Sequence, residues 1–246
     1  MNKRTQPKKI RPIAPTINDS LLTRESWKIF QVMAEFVEGY ERLIHAKPYV
    51  SIFGSSKCQT NHKYYKLAQK IALELSNAGF SIVTGGGPGI MEGANKGAYQ
   101  GNSFSIGLNI AFPHEKLSTK YQDITLNFRH FFTRKVMFVK YAAAYVVLPG
   151  GFGTLDELAE ILALVQTKKS REIPILLVNK AFWAPLMEWF QNTLVQEKMI
   201  TKKDLKLFSI VETPGEITKY ILEYYKKHKA NNYKKNKTDL NKSYQF

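Results

Sequence analysis

A single cysteine in 246 residues, Cys58, leaves no internal disulfide and no cysteine-based metal site, and it fits a reducing cytoplasm. The five histidines, His45, His62, His114, His130 and His228, show no ligand-like spacing, so no metal is expected. No apolar run approaches the ~18 residues of a membrane span. The first 18 residues are basic and proline-containing without an apolar stretch, unlike a secretory leader. Two nucleotide signatures are also missing. The dinucleotide fingerprint needs glycine at its first, third and sixth positions, but counting from Gly85, Gly87 or Gly151 the sixth residue is Ile90, Glu92 or Asp156. No Gly-Lys-Ser/Thr occurs, so a phosphate loop of the NTPase kind is excluded as well. No cofactor is therefore expected.

Acidic residues are scarce, 20 against 36 lysines and arginines, for a net charge of +16. The imbalance sits at the ends. Residues 1–12 contribute +5, and residues 226–246, with seven lysines against Asp239, contribute +6. The remaining +5 for residues 13–225 is ordinary for a protein that handles small anions. The segments 1–17 and 228–246 read as basic disordered tails, able to attach only weakly to nucleic acid or acidic surfaces.

Between them, residues 18–46 form a helical extension, with a wide apolar stripe from Leu21 to Ile44 that suits packing on the main domain or on a second subunit. Residues 47–227 alternate strands and helices. Strands are expected at 49–53, 80–84, 103–108, 124–128, 142–148, 174–178 and 208–211. Helices are expected near 64–75, 90–100, 130–141, 155–165, 182–195 and 217–225. Short apolar strands joined through helices imply right-handed β-α-β units. The fold class is α/β, a doubly wound Rossmann-like parallel sheet with helices on both faces and an extra N-terminal helix.

Two strand-to-helix turns are rich in glycine: Gly85-Gly86-Gly87-Pro88-Gly89-Ile90-Met91-Glu92, and Pro149-Gly150-Gly151-Phe152-Gly153-Thr154-Leu155-Asp156-Glu157. Such a turn aims free backbone N–H groups at whatever lies above it, and phosphate is the usual occupant. Asp156 and Glu157 then stand out, because extra negative charge in the first helical turn does not help to hold a phosphate. It suits a site that holds one and does chemistry beside it. Thr154-x-x-Glu157 also spells a capping box, and the two readings are compatible.

The second turn fits the PGGxGTxxE motif of the LONELY GUY (LOG) family, cytokinin riboside 5'-monophosphate phosphoribohydrolases with bacterial relatives that act as nucleoside 5'-monophosphate nucleosidases. The first turn resembles that family's first glycine motif, Phe53-Gly54-Ser55-Ser56 its strand-1 end, and Thr133-Arg134-Lys135 its Arg-Lys pair. The resemblance spans roughly residues 49–225. Phe131-Phe132-Thr133 stands where the plant enzymes carry Met-His-Glu, which places the likeness with the longer bacterial branch.

The resemblance implies an N-glycosidase that releases a free base and ribose 5-phosphate from AMP or a cytokinin riboside monophosphate. It implies Arg134 and Glu157 as the catalytic pair, Arg134 fixing Glu157 and the ribose or phosphate oxygens. Gly150, Gly151, Gly153 and Thr154, with Gly86, Gly87, Ser55 and Lys135, would hold the phosphate and nucleotide. Glu92, Asn95 and Asp156 are candidate base or ribose contacts, although Glu92 and Asn95 read equally as polar groups at a helix start. The partners implied are a small nucleoside monophosphate and a second copy of the chain, in a homodimer or larger homo-oligomer, with no membrane. Many relatives carry the label lysine decarboxylase, which requires a pyridoxal-binding lysine, and none stands out here. The alternative is a non-catalytic nucleotide or molybdenum-cofactor carrier on the same fold. Glu157 argues against it, since a carrier of an anion has no need of that carboxylate.

Overall fold

The computed structural model describes residues 19–110 and 120–235. The tail expected at 1–17, the end of the second tail from 236 onward, and residues 111–119 with His114 lie outside the described residues.

In chain order the elements are α1 (Asp19–Ile44), β1 (Tyr49–Phe53), α2 (Lys63–Asn77), β2 (Ser81–Thr84), α3 (Ile90–Tyr99), β3 (Ser105–Ile110), β4 (Ile124–Phe128), α4 (Phe131–Lys140), β5 (Ala142–Val147), α5 (Phe152–Gln166), β6 (Ile175–Val178), α6 (Lys180–Trp189), β7 (Ser209–Val211) and α7 (Pro214–Lys235). The seven strands form one sheet in the order β4-β3-β2-β1-β5-β6-β7. Every pairing is parallel, with Val50 opposite Ile82 and Phe53 opposite Val147 at the centre. The strands β1, β2, β3, β5 and β6 are buried along their whole length, the reason their sequences are mostly apolar on both faces instead of alternating.

Because side chains alternate across a strand, each strand feeds two cores. On one face Val50, Ile52, Ile82 and Val146 meet Ala68, Ile71 and Leu75 of α2, Ala94 and Ala98 of α3, and Ile217 and Ile221 of α7. On the other, Tyr49, Phe53, Tyr145 and Val147 meet Leu43 of α1, Met137 and Phe138 of α4, Leu158 and Ile161 of α5, and Trp183 of α6. This is the doubly wound α/β arrangement with an N-terminal helix. Among the described residues no helix is long and apolar enough to cross a membrane.

Several boundaries differ from expectation: β3 runs Ser105–Ile110 instead of 103–108, α5 starts at Phe152 instead of 155, and two helices depart further. The helix expected at 182–195 is α6 followed by a π-helical turn, Phe190–Val195, with Pro185 inside α6. The last helix begins at Pro214 and runs to Lys235, eight residues into the segment expected as tail from 228. Its start has a clear cause. The Glu216 carboxylate accepts from the Thr213 amide at 3.4 Å and the Glu212 amide at 2.8 Å, while the Glu216 amide donates to Thr213 Oγ1 at 3.3 Å. Thr213-Pro214-Gly215-Glu216 is a capping box with proline at the first helical position.

Candidate active site

The strand order reverses at β1. Strands β2, β3 and β4 add on one side and β5, β6 and β7 on the other, so the turns after β1 and β5 part around a crevice, the usual ligand position in an open α/β sheet. The turns are stitched together at its base. Leu148 N donates to Phe53 O at 2.9 Å, Ser55 N to Pro149 O at 3.1 Å, and Ile90 N to Ser55 O at 2.9 Å. Gly89, at φ +73°, is required there, since a Cβ would stand 2.4 Å from Ser55 O.

Above these bonds opens a cavity of about 550 Å³. One wall is Ser55, Ser56 and Lys57 after β1, with Gly85 after β2. The other is Gly151 to Thr154 at the head of α5, with Arg134 and Glu157 closing the inner end. The helix α5 is capped by Gly151, with no side-chain capping bond. The amides of Phe152 and Gly153, its first two residues, therefore have no carbonyl one turn back to bond. The Thr154 and Leu155 amides both reach Gly151 O at 3.0 Å.

The helix α4, which carries Arg134, is pinned at both ends. At its start the Glu35 carboxylate of α1 accepts from Arg129 N at 2.9 Å and Thr133 Oγ1 at 2.5 Å, and meets His130 Nδ1 at 3.2 Å. At its end Ser51 Oγ donates to Phe138 O at 2.8 Å, and the Tyr49 hydroxyl donates to Met137 O. The Arg134 guanidinium lies 5.4 Å from the Phe138 ring and 5.6 Å from the Phe131 ring. Among the described residues it makes no ion pair within 4 Å, and its Nε is buried without an acceptor. Burial lowers the pKa of Arg134 from its ordinary value, against the pull of Glu157 and Asp156.

Glu157 is 7% exposed. Burial pushes its carboxyl up to about 7, with Lys135 and Arg134 drawing it down and Glu160 and Asp156 adding to the rise. The cation that meets it is Lys135, at 3.6 Å from Oε1. The site thus combines an open helix N-terminus, an unpaired guanidinium and a carboxyl poised to change charge near neutrality.

A family model described as "Possible lysine decarboxylase" matches residues 91–221. The chain belongs to this family, the LOG family. Its relatives include the rice (Oryza sativa subsp. japonica) protein named "Probable cytokinin riboside 5'-monophosphate phosphoribohydrolase LOGL2", 27% identical over 70% of this chain and 72% of the other. The rice cytokinin riboside 5'-monophosphate phosphoribohydrolase LOG is 27% identical over 65% of this chain and 67% of its own. Among solved structures, the molybdenum cofactor binding protein of Rippkaea orientalis superposes with a TM-score of 0.53 at 21% identity, over 73% of this chain and 98% of that one. At that identity the likeness is one of fold.

Within this LOG-family framework the expected site residues separate. Arg134, Glu157, Gly151, Gly153, Thr154 and Ser55 all line the cavity. Gly150 lies behind it, against Thr154, where a Cβ would stand 2.0 Å from the hydroxyl oxygen. Gly86 and Gly87 are not on the wall; Gly85 and Met91 are. Gly86, at φ +70°, shapes the turn, its amide donating to Thr84 Oγ1 at 3.0 Å. Asn95 is buried beneath that turn, accepting from Thr84 Oγ1 at 2.5 Å and donating to Ser105 Oγ and Ile106 O. It braces β2 and β3, with both donors of its amide nitrogen already used. Glu92 accepts from the Tyr65 hydroxyl at 3.2 Å, away from the wall.

Lys135 is engaged by carboxylates and is not among the residues lining the cavity; Asp156 faces it from the exposed side at 2.7 Å. The expectation that Arg134 fixes Glu157 gives way to Lys135 for that contact. The capping box at Thr154-x-x-Glu157 does not form either. The helix starts two residues before Thr154, which places Asp156 and Glu157 in the second turn. Sequence reasoning passed over Lys57 and Phe152, the latter 91% exposed at the cavity rim. A lysine just past the strand-1 glycine turn was the available signal for the first, and an aromatic between two motif glycines for the second.

Proposed function

We propose that the protein hydrolyses the N-glycosidic bond of a nucleoside 5'-monophosphate, AMP or a cytokinin riboside monophosphate, to free base and ribose 5-phosphate. The observation that carries this reading is Glu157: a nearly buried carboxyl, up to about 7, in the same cavity wall as an unpaired arginine and an open helix N-terminus. In the reaction the base leaves with the electrons of the C–N bond, and positive charge builds on the ribose carbon. Ionised Glu157 stabilises that charge and takes a proton from the attacking water, whose oxygen bonds to the same carbon. The departing base takes its proton from solvent. The Phe152 and Gly153 amides and the Lys57 ammonium receive the 5'-phosphate. Arg134 stays protonated and offers its free N–H groups to ribose or phosphate oxygens. LOG-family relatives named as phosphoribohydrolases support the reading.

A carrier of an anionic ligand is the second reading, supported by the fold shared with the molybdenum cofactor binding protein. The experiment that separates them is chromatographic. The purified protein is incubated with AMP, GMP, CMP, UMP, IMP and isopentenyladenosine monophosphate, and free base and ribose 5-phosphate are quantified. Release by the wild type, lost in Glu157→Gln and Arg134→Ala, supports the hydrolase. No release from any of them, with nucleotide still bound by calorimetry, favours the carrier.

A further inference from the structure

Among the described residues, the Lys135 ammonium meets three carboxylates, all on α5. It lies 2.7 Å from Asp156 Oδ2, 2.7 Å from Glu160 Oε2 and 3.6 Å from Glu157 Oε1. Asp156 and Glu160 are four residues apart and so stack on one helical face, where a single ammonium can bridge them. Two of its three donors are taken by these short bonds. Partial burial works against the lysine's charge, but the hydrogen bonds to Asp156 and Glu160 outweigh it and hold Lys135 above its ordinary range.

We propose that Lys135, clamped by Asp156 and Glu160, is a positioning residue that holds the Glu157 carboxylate in the cavity wall and governs its charge, and is not a phosphate ligand. The inference rests on the reading of Glu157 as the reacting carboxylate. Asp156 and Glu160 keep the ammonium 3.6 Å from Glu157, close enough to attract but short of a full hydrogen bond. The charged groups around Glu157 are Arg134 and Lys135 from α4, Asp156 and Glu160 from its own helix, and Lys57 across the cavity. From the sheet, Tyr145 of β5 feels Glu160 and stays protonated through burial. With Glu157 protonated, the two α4 cations balance Asp156 and Glu160, and ionising Glu157 leaves these five groups on α4 and α5 with one net negative charge, faced by Lys57 across the cavity. Removing Lys135 therefore makes ionisation harder. Removing Glu160 makes it easier twice over, by deleting a like charge and by releasing the ammonium to close on Glu157.

The test is a carboxyl titration by NMR of protein labelled with 13C-glutamate, the Glu157 signal assigned by its loss in Glu157→Gln, with kcat and KM for AMP measured across pH alongside. In Lys135→Met the Glu157 midpoint should rise by about one pH unit or more, and Lys135→Arg should restore it. In Glu160→Gln it should fall. The acidic limb of kcat should follow the midpoint in each variant, with KM little changed. A midpoint unmoved in both Lys135→Met and Glu160→Gln overturns the proposal. So does a large rise in KM for Lys135→Met with its midpoint in place, the signature of a phosphate ligand. Glu160 lies at the rim of the cluster, so Glu160→Gln keeps the test open if Lys135→Met folds poorly. Should the wild type hydrolyse no nucleotide, the function reading falls, while the titration still decides what Lys135 does.

Discussion

Arg134 and Glu157 face one cavity from two helices and share no ion pair. A half-buried guanidinium whose Nε is buried and unbonded is a cost to the folded state, because the desolvation of that N–H is not repaid by an acceptor. Such a cost is common where a group is kept ready for a ligand. Arg134→Met should accordingly raise the melting temperature while lowering kcat/KM about 100-fold or more. Arg134→Lys should recover little, since a single ammonium does not reproduce the planar fork. Thermal melts and steady-state kinetics on the same preparations check both halves. A drop in melting temperature for Arg134→Met would mean that the arginine is structural.

Glu157 links stability to pH with a definite sign. Its folded carboxyl is raised to about 7 from its ordinary value of 4.5. Between those values the folded state holds a proton that the unfolded state has released, so the contribution of Glu157 to stability falls as pH rises through that window. It is flat below about 4.5 and above about 7. Glu157→Gln cannot ionise. Its melting temperature relative to wild type should therefore be higher at pH 8 than at pH 4.5, most of the change falling before neutrality. Activity runs the other way, rising through about pH 7 as the carboxylate forms. Parallel melting curves for the two proteins across pH would contradict this assignment.

The sheet could be read from the sequence because its central strands are buried on both faces and so are mostly apolar, β5 and β6 without a break. Which residues of a motif face the ligand could not. Adjacent helical residues point about 100° apart, and of Arg134 and Lys135 only the first lines the cavity, of Asp156 and Glu157 only the second. Only packing decides which member of each pair turns inward. Among Gly85, Gly86 and Gly87 the choice rests on a long-range contact, the approach of Asn109 to Gly86. Two Thr-x-x-Glu strings look alike in the sequence, at Thr154 and at Thr213. Only the second caps a helix, because at the first Gly151 has already started α5.

Gly86 and Gly153 make a contrasting pair. A Cβ on Gly86 would stand 1.5 Å from Asn109 Oδ1, and the residue sits at φ +70°. Gly86→Ala thus meets both backbone strain and overpacking and should lose roughly 2–4 kcal/mol in urea unfolding. A Cβ on Gly153 meets nothing within 4 Å. In the first turn of α5, alanine there should leave stability unchanged or add ~0.5–1 kcal/mol by restricting the unfolded chain. Its methyl would crowd the open amides, so KM for the nucleotide should rise. Equal destabilisation by the two substitutions would refute the assignment of one glycine to packing and the other to the ligand.

The outer face of α1 carries Trp27, Ile29, Phe30, Met33 and Val37, each 54–63% exposed. Its inner residues Phe36 and Tyr40 already pack on the core. Next to it, on α4, Phe131 and Phe132 are also more than half exposed. Soluble monomers rarely leave so continuous an apolar face in water. A helix face of this kind is self-complementary under a two-fold axis, so a second copy of the chain is the occupant expected here. The pair would form beside the site, since the Phe131 ring lies 5.6 Å from the Arg134 guanidinium. Light scattering coupled to size exclusion should give twice the 28.2 kDa chain mass. The double substitution Phe30→Glu and Met33→Glu should shift it to the monomer without unfolding it, because both side chains point away from the core. Loss of activity on dissociation would show that the cavity depends on its neighbour. A wild type that runs as a monomer at all concentrations would refute the interface.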